Sequence, residues 1–194
     1  RLSSANSINW GRLVPQIVYY FAAYAQLCKA GKIAFGEKVD FCVPTGNFGD
    51  ILAGYYAKQM GLPVGKLVCA SNENNVLTDF LTTGTYTAKR EFFKTTSPSM
   101  DILVSSNLER LLYHVTGSDT EVAALMKSLS ETGRYSVRPE TLAKIQESFD
   151  CGWSSEAQVA GEIRARFEQD NYLCDTHTAV AFHVAAQKKR EGVP

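Results

Sequence analysis

The sequence predicts an α/β domain in three layers (αβα), with helices on both faces of a mostly parallel sheet. Stretches with helical apolar spacing alternate along the chain with short β-branched runs, which is typical of this class. The 194 residues are 45% hydrophobic and 21% charged, as in a packed globular protein. Because no linker or repeat divides the chain, we expect residues 1–194 to form a single compact unit, with a less regular insert at about 83–150.

The first half of the chain contains two predicted helix–strand units. Apolar residues with helical spacing predict a helix at 12–30, ended by Gly31. A short buried strand is predicted at 39–43. A helix that contains the small residues Ala53, Gly54 and Ala57 is expected at 50–60, followed by a second strand at 66–70.

The second half is predicted to be mainly helical. A helix is expected at 76–82, whereas the polar stretch 83–99 carries no clear period. Ser118 or Asp119 would cap one later helix, and Ser154 and its neighbours would cap another. The remaining elements are a strand at 149–152 and helices at 107–115, 120–132, 141–148, 154–169 and 178–190.

Charge and cysteine content exclude several functional classes. Twenty basic residues balance twenty acidic ones, so nucleic acid is not an expected partner. The most apolar stretch, 13–27, is shorter than the roughly 20 residues that span a bilayer, so no membrane partner is expected either. Five dispersed cysteines without a C-x-x-C pair predict buried thiols in a reducing compartment, the cytoplasm. His177 and His183, six residues apart, do not predict a metal site.

The segment Val43 to Asp50 (VPTGNFGD) carries the strongest chemical signal. Its two glycines, three residues apart, lie between a predicted strand and a predicted helix, where successive N–H groups can converge on an anion. No Lys or Arg lies between Lys38 and Lys58, so amides and the helix dipole would hold that anion. Asp50, being negative, suits a helix cap better than a phosphate ligand. A simple capped strand-to-helix turn remains the alternative.

Better-known nucleotide loops do not match this segment. It has G-x-x-G rather than G-x-G-x-x-G, and no Gly-Lys pair is followed by Ser or Thr. No Gly-x-Ser-x-Gly elbow or convincing nucleophile triad occurs in the chain.

A second polar segment, 4–12, precedes the first long helix. Its two Asn, small hydroxyl residues and Arg12 suit a small anion, although a plain capping loop fits the same residues. His177 lies just before the last predicted helix, where a loop can face a ligand.

Five motifs together strongly resemble the threonine synthase family. They occur in the order found in that family and cover nearly the whole chain. The motifs are SANSIN (4–9), PTGNFGD (44–50), SPSMDI (97–102), SNLERLL (106–112) and DTHTAVA (175–181).

The resemblance implies a fold-type II, tryptophan-synthase-β-like enzyme that depends on pyridoxal 5'-phosphate (PLP). Such an enzyme converts O-phospho-L-homoserine and water to L-threonine and phosphate. By position, the cofactor-phosphate loop would comprise Gly46, Asn47, Phe48, Gly49 and Asp50. The substrate-binding residues would be Ser7, Asn9, Arg12, Asn47, His177 and Thr178.

The resemblance also implies that part of the catalytic machinery lies elsewhere. The Schiff-base lysine of the family occurs in a Phe-Lys-Asp segment, expected upstream, and the nearest match here, around Lys94, lacks the Asp. The Thr that contacts the pyridine nitrogen is expected just beyond Pro194. The chain is therefore expected to be an interior fragment, inactive without the rest of its polypeptide. A non-catalytic phospho-ligand-binding homologue and another fold-type II lyase, such as a serine/threonine dehydratase or a phospho-threonine lyase, remain alternatives.

Overall fold

The computed structural model describes residues 6–194, so Ser4 and Ala5 of the N-terminal motif lie outside the described residues. Two 3₁₀ turns lie at Val14–Gln16 and Pro98–Met100. The strands are Val39–Pro44 (β1), Val64–Ser71 (β2), Thr85–Thr87 (β3), Arg134–Ser136 (β4) and Phe149–Trp153 (β5). The helices are Trp10–Leu13 (α1), Ile17–Lys29 (α2), Gly49–Gln59 (α3), Val76–Thr83 (α4), Leu108–Thr116 (α5), Asp119–Thr132 (α6), Pro139–Ser148 (α7), Glu156–Asp170 (α8) and Thr176–Lys188 (α9).

The principal sheet has the order β1-β2-β5, and both pairings are parallel. The central strand, β2, pairs Cys69 with Val43 of β1 on one side and with Cys151 of β5 on the other. A central parallel strand with helices on both faces is expected to be largely buried, and β2 is buried from Leu67 to Ser71. The predicted α/β class with a parallel sheet is confirmed.

Helices cover both faces of this sheet. Side chains of β2 alternate between them: Leu67 and Cys69 belong to the larger core under α2, α3 and α4, whereas Val68 and Ala70 contact the smaller core under α8 and α9. The result is the three-layer arrangement predicted from the sequence, with the carboxyl ends of all three strands at one edge.

The N-terminal helix differs from its prediction. One helix was expected at 12–30, but the structure has α1, a 3₁₀ turn and α2 in succession. Pro15 explains the change because it has no N–H for an α-helical hydrogen bond and sits in the first positions of the 3₁₀ turn.

A small antiparallel pair, β3 with β4, was not predicted. Tyr86 and Tyr135 face each other across it, with stacked rings whose centroids are 5.2 Å apart. The irregular backbone of the 83–150 region lies within 88–107, and α5, α6 and α7 follow it.

Buried polar side chains fix the irregular segment beside the strand ends. Asn72 and Asn74, just after β2, each donate a hydrogen bond to Oδ1 of Asp101, at 2.8 and 3.0 Å. Thr95 donates its N–H to the other carboxylate oxygen at 2.9 Å. These bonds hold the 3₁₀ turn Pro98–Met100 near the carboxyl edge of the sheet.

No helix of the described chain is long and apolar enough to span a bilayer.

Candidate functional site

The loop between β1 and α3 forms the centre of the candidate site. Thr45 is buried and fixes its start, because its N–H donates to the Ala70 carbonyl (2.8 Å) and its hydroxyl to the Val43 carbonyl (2.7 Å). Phe48 has a left-handed backbone (φ 62°) and is 1% exposed, with its ring 5.5 Å from that of Phe149. This residue turns the chain into α3 while anchoring the loop in the core.

The loop leaves its peptide hydrogens available for a ligand. Within residues 6–194 no atom accepts a hydrogen bond from the backbone N–H groups of Gly46, Asn47, Phe48, Gly49, Asp50 and Ile51. Three of these groups begin α3, whose N-cap residue supplies no side-chain acceptor. Six consecutive donors at the positive end of a helix form an arrangement suited to a phosphate.

The carbonyl groups of the same loop are engaged. Ser105 donates its hydroxyl to the Gly46 carbonyl at 2.8 Å. Asn107 donates both its N–H (3.1 Å) and its side-chain amide (3.0 Å) to the Asn47 carbonyl. Because neighbouring hydrogen bonds hold these carbonyl oxygens, the surface of the loop that faces a ligand consists mainly of donors.

A cavity of about 180 Å³ joins this loop to the N-terminal segment. Ser7, Arg12 and Gln16 line it together with residues 44–51. The structure therefore brings Ser7 and Arg12 together with Gly46, Asn47, Phe48, Gly49 and Asp50, all of which were predicted as site residues. A guanidinium and a row of amides around one cavity are chemically suited to binding phosphate.

A close backbone contact requires glycine at position 46. A Cβ atom there would lie 2.9 Å from the Ser99 carbonyl oxygen and 3.2 Å from the Met100 Cα. The 3₁₀ turn at 98–100 thus packs directly against the loop.

Among the described residues that line the cavity, Asp50 is the one acidic residue. It is the second residue of α3 rather than its cap, so the expectation that it caps the helix is wrong; Phe48 occupies the N-cap position. Burial of the carboxyl raises the pKa of Asp50, and a hydrogen bond from the Tyr20 hydroxyl (3.2 Å) only partly opposes that rise. Burial and the Asp50 charge together raise the pKa of Tyr20.

Asn9 caps the helix that carries Arg12. It is the N-cap of α1, and its Oδ1 accepts the Gly11 N–H at 2.8 Å. It does not line the cavity, whereas Arg12, one turn later, does.

His177 and Thr178 begin α9 and do not line the cavity. Asp175, the N-cap, accepts both their N–H groups and the Thr178 hydroxyl. Nε2 of His177 accepts the Ser99 N–H at 3.3 Å. Since the Ser99 carbonyl lies against Gly46, His177 contacts the 3₁₀ turn that packs on the loop between β1 and α3.

Gln16 and Asn107 are among the residues at the site that were not predicted. Gln16 lines the cavity and donates its side-chain amide to the Arg12 carbonyl at 2.9 Å. Asn107 is fully buried and binds both Asn47 and Ser7. Its presence in the SNLERLL motif was the available signal, but no local pattern shows which distant segments such an asparagine contacts.

Metal ligands are not grouped in the part of the chain that the structure describes: no set of three or more His, Cys, Asp or Glu residues is placed to hold an ion.

Comparisons with known proteins give one consistent result. Threonine synthase-like 1 of Homo sapiens is 46% identical over the whole chain, which covers 26% of that protein. Threonine synthase of Schizosaccharomyces pombe is 40% identical over 92% of the chain and 38% of the relative. The crystal structure of PLP-bound threonine synthase from Brucella melitensis superposes with a TM-score of 0.93 at 44% identity, over 100% of this chain and 40% of that one.

The chain is homologous to the threonine synthases. It spans about a quarter of the length of the threonine synthase-like 1 proteins and about two fifths of the threonine synthases. The fold type II assignment is confirmed by these structural neighbours. No protein-family model matches the sequence.

Proposed function

We propose that this chain forms the phosphate-binding part of a PLP-dependent threonine synthase, which converts O-phospho-L-homoserine and water to L-threonine and phosphate. The observation that carries the proposal is the row of six N–H groups, without acceptors in residues 6–194, that faces a cavity shared with Arg12. The similarity to a PLP-bound threonine synthase supports the same assignment.

The loop residues fit the phosphate of PLP. We assign Gly46, Asn47, Phe48 and Gly49 to it through their backbone N–H groups, since each hydrogen bond to a charged group contributes roughly 1.5–3 kcal/mol. Asp50 adds its N–H, while its carboxyl stays a repulsive neighbour. When bound, the cofactor supplies the electron sink that carbanion chemistry requires.

The N-terminal segment fits the phosphate of the substrate. Arg12 can meet it through two parallel donors and Ser7 through its hydroxyl, with Asn47 shared between the two phosphates. Asn9 would act by beginning α1 and thereby aiming Arg12. His177 and Thr178 are assigned to the cofactor-ring side of the site, beyond the Ser99 turn.

The remainder of the polypeptide would supply the lysine that carries the cofactor and moves protons. The isolated chain should then bind PLP or phosphate weakly and have no catalytic activity on O-phospho-L-homoserine. Five unpaired cysteines support the cytoplasm as the compartment.

The test uses the full-length protein that contains this chain. We expect Arg12→Ala to raise the KM for O-phospho-L-homoserine by roughly tenfold to a hundredfold, because a charge-assisted hydrogen bond is lost, while PLP affinity changes little. Phosphate release and the PLP absorbance titration measure the two effects.

The matched control is Arg138→Ala, which removes an arginine that pairs with Glu121; neither residue lines the cavity. An unchanged KM in Arg12→Ala would remove the assignment of Arg12 to the substrate phosphate.

A phospho-ligand-binding homologue without this activity is the second candidate. The match to threonine synthase-like 1 over the whole chain (46% identity) is consistent with this candidate, although the B. melitensis threonine synthase is almost as similar (44%). PLP and phosphate binding without phosphate release from O-phospho-L-homoserine would support this candidate. Turnover of unphosphorylated serine or threonine would instead support a dehydratase.

A further inference from the structure

Asn107 connects the two halves of the candidate site. Its side-chain amide donates to the Asn47 carbonyl (3.0 Å) in the cofactor loop and to the Ser7 carbonyl (2.9 Å) in the N-terminal segment. The side chain is fully buried and both of its N–H donors are used. One residue therefore sets the spacing between the two segments that line the cavity.

Arg110, in the first turn of α5, binds Asn107 and the N-terminal segment but not the cofactor loop. Its Nε donates to Oδ1 of Asn107 (3.1 Å), and its Nη2 donates to the Ile8 carbonyl (2.9 Å). Its guanidinium also lies over the Trp10 ring, 5.7 Å from the centroid. Arg110 thus holds the segment that carries Ser7 and Arg12 but makes no bond to the loop 46–50.

The geometry points to Asn107 and Arg110 as a staple, a pair of positioning residues that hold the segment 7–12 at a fixed distance from the loop 46–50. This inference rests on the proposed function, in which the two segments bind two different phosphates. Neither side chain lines the cavity, so both act through the backbone carbonyls that they bind. An arginine is required at 110 because only its planar fork can reach Asn107 and Ile8 at once.

The staple predicts a selective defect. Loss of the Arg110 bonds should loosen the segment 7–12 and weaken substrate-phosphate binding, while cofactor affinity is kept. Loss of the Asn107 amide should weaken both, since Asn107 also fixes the Asn47 carbonyl. A residue that only stabilises the fold would show no such split between the two ligands.

The experiment compares Arg110→Lys, Arg110→Met and Asn107→Ala with wild type in the full-length protein. In both Arg110 variants we expect the KM for O-phospho-L-homoserine to rise roughly tenfold, with kcat and the PLP dissociation constant changed less than twofold. In Asn107→Ala we expect both the KM and the PLP dissociation constant to rise.

Hydrogen–deuterium exchange provides a readout independent of turnover. Amides of residues 7–12 should exchange faster in Arg110→Lys, while those of residues 46–50 keep the wild-type rate. This conservative variant keeps the inference testable even if Arg110→Met or Asn107→Ala does not fold.

Three outcomes would overturn the staple. A wild-type KM in Arg110→Lys together with a raised KM in Arg110→Met would mean that the positive charge attracts the substrate from a distance, without the fork. Unchanged KM and exchange in both variants would mean that the bonds position nothing. A wild-type protein that neither binds PLP nor releases phosphate would contradict the proposed function itself, and the staple with it.

Discussion

At the scale of single residues, Phe48 explains how the loop can be both open and rigid. A left-handed backbone costs a non-glycine residue roughly 1–2 kcal/mol, and burying a phenylalanine side chain returns about 1.5–3 kcal/mol. Glycine at this position would relieve the backbone but lose the contact with Phe149. A buried aromatic side chain therefore holds a conformation that aims the N–H groups of Phe48 and its neighbours outward.

Asp50 provides a prediction at the same scale. Asp50→Asn should tighten PLP or phosphate binding by about threefold to tenfold, since it removes a like charge beside the phosphate. An asparagine Oδ1 can still accept the Tyr20 hydrogen bond, so the local structure should persist. Equilibrium titration of the full-length protein with PLP and with inorganic phosphate measures the effect.

The pH dependence of Asp50→Asn checks the cause. Because burial raises the pKa of Asp50, the folded protein binds this proton more tightly than the unfolded chain does. The ionised carboxylate therefore destabilises the fold and repels a bound anion, and both effects grow as pH rises through that pKa. The affinity ratio of variant to wild type should therefore shrink towards one in acid. Glu131→Gln, at an exposed position, is the control. A weaker affinity in Asp50→Asn would show that the carboxylate contributes to binding.

At the scale of elements, local signals were sufficient for most of the fold. The strand Val39–Pro44 and the helix Asp119–Thr132 follow from apolar runs, glycines and caps. Of the two predicted caps, Ser118 and Asp119, it is Ser118 that caps the helix, by accepting the Glu121 N–H. The pairing of β3 with β4 was missed because it depends on Tyr86 meeting Tyr135, far along the chain. Strands of three residues carry too little period to be recognised alone.

The site, like the fold, has features that the local sequence predicts and features that depend on contacts between distant residues. The loop 46–50 was predictable because its glycines and its place between a strand and a helix are local features. Its closeness to Arg12 came only from the resemblance to a family. Asn107 was missed because a buried asparagine takes its meaning from its partners, which lie in two other segments.

The contact between the loop and the 3₁₀ turn provides a prediction for elements. Gly46→Ala should lower the free energy of unfolding by about 1–3 kcal/mol and weaken PLP binding at least several-fold, because the new Cβ would meet the backbone of Ser99 and Met100. Chemical denaturation and PLP titration measure the two effects.

Gly161→Ala is a matched control for this substitution. Gly161 lies inside α8 with nothing within 4 Å of the added Cβ, so alanine should stabilise the helix by about 0.5–1 kcal/mol. Equal stability changes in the two variants would contradict the proposed close contact.

At the scale of the whole molecule, one ion pair connects strand β1 to the segment that follows the last helix. Asp40 of β1 accepts the Lys66 N–H of β2 (2.6 Å) and the Nε of Arg190 (2.7 Å), 150 residues further along. A Cβ at Gly65 would collide with Oδ1 of Asp40 and with the Arg190 guanidinium, so the strands and the segment after α9 are closely packed here. The pair thus joins the edge of the sheet to the segment after the last helix.

This ion pair predicts a pH-dependent stability. Burial alone would raise the pKa of Asp40, but hydrogen bonds from Arg190 and Lys66 and their charges outweigh burial and lower it. A lowered pKa stabilises the fold above the ordinary aspartate value, about 3.9, and this stabilisation is lost as pH falls through the folded-state pKa. Arg190→Gln should therefore lower the free energy of unfolding at pH 7 by about 1 kcal/mol, since the arginine is partly exposed to solvent. The difference from wild type should narrow below about pH 4 and vanish once Asp40 is protonated in both proteins.

Lys127→Gln is the control for this prediction, because it breaks an exposed pair with Glu131 and should leave the stability at pH 7 nearly unchanged. Urea denaturation from pH 2 to pH 7 gives the free energy of unfolding of all three proteins. If Arg190→Gln is still less stable than wild type at pH 2, then packing of the arginine side chain, rather than its pairing with Asp40, holds the segment after α9 against the sheet.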